Sequence, residues 1–328
     1  MRRSFVLLAG ALLAGVLAAP AVADGGNGSD GSDGFTLEDP RITESSGLAA
    51  SRAHPGVYWT HNDSDDGAFL YAVDSASGRT VATVTMTGVG RPRDVEAVSV
   101  GSNGHLYVGD IGDNLGGTWD HVWIYELPEP KQLRDQTVRA TQYDVKYADG
   151  ARDAEALMVH PETGRVYIVS KNEDGGALYR GPAKLSASGT NTFERVADIG
   201  LWVTDGAFSP DGEQLAVRGY FGGIAYDWND GKPKRRGQLS VPLQRQGESM
   251  TYTPDGSTLL YGSEGAGSSV EPKKVEGAGG GNGASSSGGG GSADGEDGSG
   301  GDFRKGAFAV AAAFAVVYGL KRLFRRRD

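Results

Sequence analysis

Between positions 35 and 276 the apolar residues come in short runs, too short for helices and without the three-to-four spacing of a helical stripe. Runs such as Val57-Tyr58-Trp59-Thr60 and Arg165-Val166-Tyr167-Ile168-Val169 are bounded by Gly, Pro, Asn and Asp, the punctuation of strands joined by tight turns. The runs repeat as a unit. An acidic residue with a small neighbour opens a strand, a turn follows, and a second strand ends in a polar cluster. The copies run from Glu44-Ser45-Ser46-Gly47 to His61-Asn62-Asp63, and from Asp94-Val95-Glu96-Ala97 to Gly109-Asp110-Ile111-Gly112-Asp113-Asn114. They continue from Asp153-Ala154-Glu155-Ala156 to Ser170-Lys171-Asn172, from Thr204-Asp205-Gly206-Ala207 to Arg218-Gly219-Tyr220, and from Gly247-Glu248-Ser249 to Gly262-Ser263-Glu264-Gly265. Their starts lie about 43 to 59 residues apart, the length of a four-stranded propeller blade.

Each first hairpin carries its own turn signal: His54-Pro55-Gly56, Ser102-Asn103-Gly104, Glu162-Thr163-Gly164, Pro210-Asp211-Gly212 and Pro254-Asp255-Gly256. Third strands are expected at 69–73, 122–127, 177–179 and 224–228, and outer strands at 81–86, 138–145, 193–199 and 238–243. The last copy lacks an outer strand, and 269–275, with Glu271-Pro272-Lys273-Lys274, is a poor third one. Phe35-Thr36-Leu37-Glu38 and Arg41-Ile42-Thr43 can supply the missing strand and close the ring, which removes a free edge. The expected fold is therefore an all-β propeller over 35–276 with five blades, or six if the long 97–152 segment hides another.

In an antiparallel hairpin the start of the first strand and the end of the second share one rim. This gathers Glu44, Glu96, Glu155, Asp205 and Glu248 at the mouth of the channel, with Asp63, Asp110, Asp113, Asn114, Lys171, Arg218 and Glu264 just outside. Converging carboxylates repel one another unless they bind protons or a cation. Oxygen donors without Cys or His point to Ca²⁺ or Mg²⁺ rather than zinc. The alternative, that these Asp and Asn residues only bond backbone N–H groups in turns, stays open. Asn62 to Gly67 fails the EF-hand spacing, with Val73 where Glu is required. His54, His61, His105, His121 and His160 show no metal spacing, and no G-x-S-x-G elbow marks a serine hydrolase.

The two ends place the domain. Arg2-Arg3, an apolar run from Phe5 to Leu17 and Ala21-Val22-Ala23 read as a signal peptide over 1–23, followed by a Gly/Ser/Asp stretch at 24–34 expected to be disordered. A Gly/Ser-rich stalk is expected at 277–302, a transmembrane helix at 303–324 and a cytoplasmic basic tail at 325–328. The uncharged core of that helix, 306–320, spans only ~22 Å, so the flanking Lys and Arg must snorkel. Five bases follow it and two precede it, which puts the propeller outside the cell. Absence of cysteine removes disulfides and thiol chemistry. Of 32 Lys and Arg and 42 Asp and Glu, nine cations and one acid lie in 1–23 and 304–328, leaving 23 against 41, or −18, for the exported part. Such a surface disfavours nucleic acid and suits cations or basic ligands.

Gly109 to Asn114 and Asp153 to Leu157, with the repeated acidic starts, resemble secreted propeller proteins of actinobacterial type that carry GDIGDN and successive D-x-E-A motifs. More distantly the chain is similar to the propellers of the phytase, strictosidine synthase and gluconolactonase group, over about residues 36–266. The resemblance implies a rim-bound Ca²⁺ held around Glu96, Asp110, Asp113, Asn114 and Glu155. A phytase-like phosphate site needs clustered cations, and the rim offers chiefly Lys171 and Arg218, with Arg93 and Arg152 adjacent. Two functions are compatible with the residues: a tethered surface module that binds an extracellular ligand or protein, or a metal-dependent hydrolase of phosphoester, ester or lactone substrates.

Overall fold

The computed structural model describes residues 32–64 and 66–275, all β or loop, with no helix among them. The expected signal peptide, stalk, membrane helix and basic tail lie outside the described residues. A two-residue strand, β1 (Phe35–Thr36), precedes the first unit of β2 (Ser45–Ala50), β3 (Val57–Asn62), β4 (Phe69–Asp74) and β5 (Arg79–Thr87). The second unit holds β6 (Val95–Val100), β7 (His105–Asp110), β8 (Val122–Pro128), β9 (Gln136–Arg139) and β10 (Thr141–Tyr147). Then come β11 (Ala154–Val159), β12 (Val166–Ser170), β13 (Gly176–Arg180) and β14 (Asn191–Ile199), followed by β15 (Val203–Phe208), β16 (Gln214–Gly219), β17 (Gly222–Asn229) and β18 (Lys232–Leu239). The last unit has β19 (Ser249–Tyr252), β20 (Thr258–Gly262) and β21 (Ser269–Lys274).

Each unit is an antiparallel meander, and the first strands meet side by side. β2 packs beside β6, β6 beside β11, β11 beside β15, β15 beside β19, and β19 returns to β2. That cyclic arrangement is a β-propeller. Burial falls outward from the axis, as the residue pattern requires. First and second strands are buried along nearly their whole length, so they read as continuous apolar or small residues, whereas β18, KPKRRGQL, is mostly exposed. The core consists of layers between neighbouring units. Trp59, Leu70 and Val84 of the first meet Val98, Leu106 and Tyr125 of the second, and equivalent clusters recur around the ring. Leu37, Ile42, Tyr58 and Tyr71 meet Leu260 and Val270, joining the two ends of the chain.

The hairpin glycines Gly56, Gly104, Gly164, Gly212 and Gly256 all have φ between 64° and 77°, the left-handed conformation those turns demand. β1 pairs with β21 as the ring-closing strand, but only Phe35 and Thr36 do so, opposite Val270 and Ser269. Leu37 and Ile42 go into the core instead. Pro272 is tolerated in β21 because the ladder with β1 involves only Val270 and Ser269. The outer strand expected at 238–243 is displaced. Asp230 (φ 47°) and Gly231 (φ 77°) turn the chain directly after β17, so β18 starts at Lys232. The 97–152 segment carries most of β6 and all of β7 to β10. Its outer stretch divides into β9, which pairs parallel with β5, and β10, which pairs with β8 and, in parallel, with β14.

Candidate functional site

Bulges at the starts of the first strands decide which acidic residues share a level. In β6 the ladder passes from Val95–Asp110 to Ala97–Gly109, leaving Glu96 as the extra residue. In β11 it passes from Ala154–Ser170 to Ala156–Val169, leaving Glu155. In β15 the extra residue is Thr204. A bulge removes its residue from the pairing and re-aims the side chain. The last unit follows by its backbone bonds: Glu264 N–H donates to Gln246 O as Lys171 N–H does to Asp153 O and Asp63 N–H to Glu44 O. Two residues beyond those carbonyls stand Glu248, Glu155 and Ser46. Glu96, Glu155 and Glu248 are thus equivalent, whereas Glu44 lies two residues earlier and Asp205 one later than the level the sequence pattern assigned them.

The structure brings together Asp63 from the end of β3 with Asp94 and Glu96 from the start of β6. One carboxylate oxygen of each lies within 4.8 Å of the others. All three are buried, with 6%, 0% and 3% of their surface exposed. Asn114 Nδ2 donates to Asp94 Oδ2 at 3.0 Å. Burial, then the charges of Asp63, Glu155 and Asp94, hold Glu96 well above the usual carboxylate range, with Lys171 opposing. Burial and then Asp94 do the same to Asp63. Gly112 lies against the group, where only glycine fits. A Cβ there would stand 2.5 Å from Glu96 Oε1 and 2.8 Å from Asp94 Oδ2. An oxygen-only set of three buried carboxylates fits a hard divalent cation.

Next to this group, Lys171 Nζ donates to Glu155 Oε1 at 2.6 Å and lies 5.7 Å from the centre of the Tyr220 ring. Burial works against its charge, but Glu155, Tyr220, Glu248 and Glu96 together hold the ammonium well above the ordinary lysine value. Glu248 is buried near the Tyr220 hydroxyl, and among the described residues its Oε2 has no hydrogen-bond partner. Burial raises its pKa against the pull of Lys171.

The remaining predicted residues are held in hydrogen bonds to backbone or side-chain groups. Asp110 accepts from Arg93 N, Asp94 N and Tyr125 Oη, and Asp113 from Thr118 Oγ1 and Trp119 N. Asp205 accepts from Gly206 N and Met250 N, tying two units together. Arg218 is fully buried and donates to Gln244 Oε1, Ser249 O and Gly262 O. Glu44 accepts from Ser64 Oγ, and Glu264 from Gln246 Nε2. The other nearby cations are engaged too. The Arg93 guanidinium lies between Trp119 (4.0 Å) and Trp123 (3.7 Å) and donates to His121 O, while Arg152 pairs with Asp149 at 2.7 Å. Sequence reasoning passed over Asp94 and Tyr220, although both stand in the repeated words, Asp94 two residues before Glu96 and Tyr220 in the Arg218-Gly219-Tyr220 cluster.

No protein-family model matches the chain, and no curated protein does. Among solved structures, a gluconolactonase from Xanthomonas campestris is 19% identical over 73% of this chain and 78% of its own, with a TM-score of 0.43. A PQQ-bound aldose sugar dehydrogenase from Streptomyces coelicolor is 11% identical over 74% and 99%, at 0.41. A chain of the mitotic checkpoint complex is 13% identical over 70% and 60%, at 0.39. These remote likenesses carry no chemistry to this chain.

Proposed function

We propose that the chain is a five-bladed propeller whose rim holds a divalent cation, calcium by preference, and hydrolyses a carboxylic ester or lactone outside the cell. The observation that carries the reading is the buried group of Asp63, Asp94 and Glu96, one carboxylate oxygen of each lying within 4.8 Å of the others. Asp63, Asp94 and Glu96 would hold the ion. When bound, it supplies Lewis acidity toward a carbonyl oxygen and acidifies water. Glu248, its pKa raised and one oxygen unbonded, takes the proton of the attacking water; the water oxygen bonds to the acyl carbon. The C–O bond to the leaving group then breaks, and the proton passes to that oxygen, giving acid and alcohol. Lys171 balances the charges of Glu155 and Glu248. A phosphoester fits poorly, since Lys171, Arg218, Arg93 and Arg152 are all engaged and carboxylates outnumber them at the centre.

Turnover of an aryl ester and a lactone is expected with calcium and not with EDTA, and Glu96→Gln or Glu248→Gln should reduce it about a hundredfold or more. Phosphoester turnover should be absent. Failure of both carboxylic substrates beside intact calcium binding would leave a ligand-binding module.

The tether is a sequence-based part of the same proposal: residues 303–324 cross the membrane and the stalk carries the domain outside. Protease added to intact cells is expected to release a soluble fragment ending within 277–301. Full-length chain free in the medium without detergent overturns it.

A further inference from the structure

Of the large apolar side chains that the described residues leave exposed, all but one lie on loops of the acidic rim. Leu115 (63%) follows β7, Phe221 (53%) joins β16 to β17, and Leu243 (90%) precedes β19. The exception is Val81 on β5. Apolar exposure confined to the face that holds the perturbed carboxylates marks that face as the one that meets a ligand. The opposite rim differs. Its cavity of about 340 Å³ is lined by the far ends of the first strands, with Arg52 its one charged group.

An aromatic path leads outward from the centre. The Tyr220 hydroxyl lies near Glu248, and its ring centre is 5.7 Å from Lys171 Nζ. Trp202 meets the Tyr220 ring edge-on, centroids 5.3 Å apart at 82°, and Phe221 adjoins it at 6.3 Å. Trp202 and Tyr220 are half-buried, while Phe221 is open. Such a platform offers ring faces to a planar apolar group. The charge around it rejects anions, because carboxylates outnumber Lys171 and the nearby arginines are engaged. We infer that Trp202, Tyr220 and Phe221 form the specificity subsite for the aryl group of a neutral ester, placing its carbonyl toward Glu248 and the Asp63–Asp94–Glu96 group. This rests on the hydrolytic reading above.

The test compares phenyl acetate with ethyl acetate in calcium. The phenyl-over-ethyl ratio of kcat/KM is expected to fall about three- to tenfold in Phe221→Ala, through KM rather than kcat, on the scale of an aromatic contact. Val81→Ala, remote from the rim, should leave the ratio unchanged. A ratio unmoved by Phe221→Ala overturns the subsite. If neither ester turns over, the hydrolytic reading fails, and the subsite is decided by saturation-transfer NMR with acetanilide, the unreactive amide. A signal lost in Phe221→Ala upholds the subsite, and no signal from the parent protein overturns it.

Discussion

Calcium added to EDTA-treated protein should raise its melting temperature by about 5–10 °C at pH 7.5 and by much less at pH 5. An ion that binds only the folded state stabilises it by about 2.7 kcal/mol at a hundredfold excess over Kd, and a domain of this size shifts by about 2–4 °C per kcal/mol. The pH dependence follows from the carboxylates. Asp63 and Glu96 have folded pKa values raised above their unfolded ones, by burial first and by a neighbouring carboxylate second, Asp94 for Asp63 and Asp63 for Glu96. Between those values the folded state binds more protons than the unfolded chain, so stability of the EDTA form falls as pH rises above the unfolded carboxylate range of about 4. Calcium removes that loss by displacing the protons. Binding at pH 7.5 should therefore release protons, measurable in weak buffer. Glu96→Gln provides the sharpest reading. It keeps the shape, removes one charge, and should make the EDTA form more stable at pH 7.5 while abolishing the calcium shift. No shift with calcium or magnesium, or a Glu96→Gln protein less stable than the parent in EDTA, sinks the metal centre.

Removing residues 1–43 should cost the domain most of its stability. The loss goes beyond β1 and its short ladder with β21. Leu37 and Ile42, 1% and 0% exposed, fill the layer between first and last units against Tyr58, Tyr71, Leu260 and Val270. Leu37 N–H donates to Ser268 O, and Thr43 O accepts from Gly265 N–H, so the same segment closes the ring through its backbone. Emptying a buried Leu or Ile site costs about 2–5 kcal/mol, and two such sites approach the whole stability of an ordinary domain, about 5–15 kcal/mol. The truncated protein is expected to unfold below room temperature or to aggregate through the bared edge of β21. Leu37→Ala alone should lower the denaturation free energy by about 2–5 kcal/mol in urea. Melting of the truncated protein within a degree or two of the full chain would show that the ring closes without this segment.

The repeated pattern by itself determined the all-β class, the hairpins, the rim that collects the acidic residues, and the use of Phe35-Thr36 as a closing strand. Those features depend on alternation, turn residues and antiparallel geometry, which are local. Tertiary structure decided the rest. Whether an acid serves a turn or a ligand depends on which backbone N–H groups reach it, and these come from other segments: Met250 to Asp205, and Asp94 and Arg93 to Asp110. Arg218 reads as a rim cation until Ser249 O and Gly262 O enclose it. Bulges at Glu96 and Glu155 shift the level of each motif by a residue that no spacing rule records. The grouping of Asp63 with Asp94 and Glu96 likewise arises only where the first unit packs against the second, because a buried carboxylate's role is set by its neighbours in space.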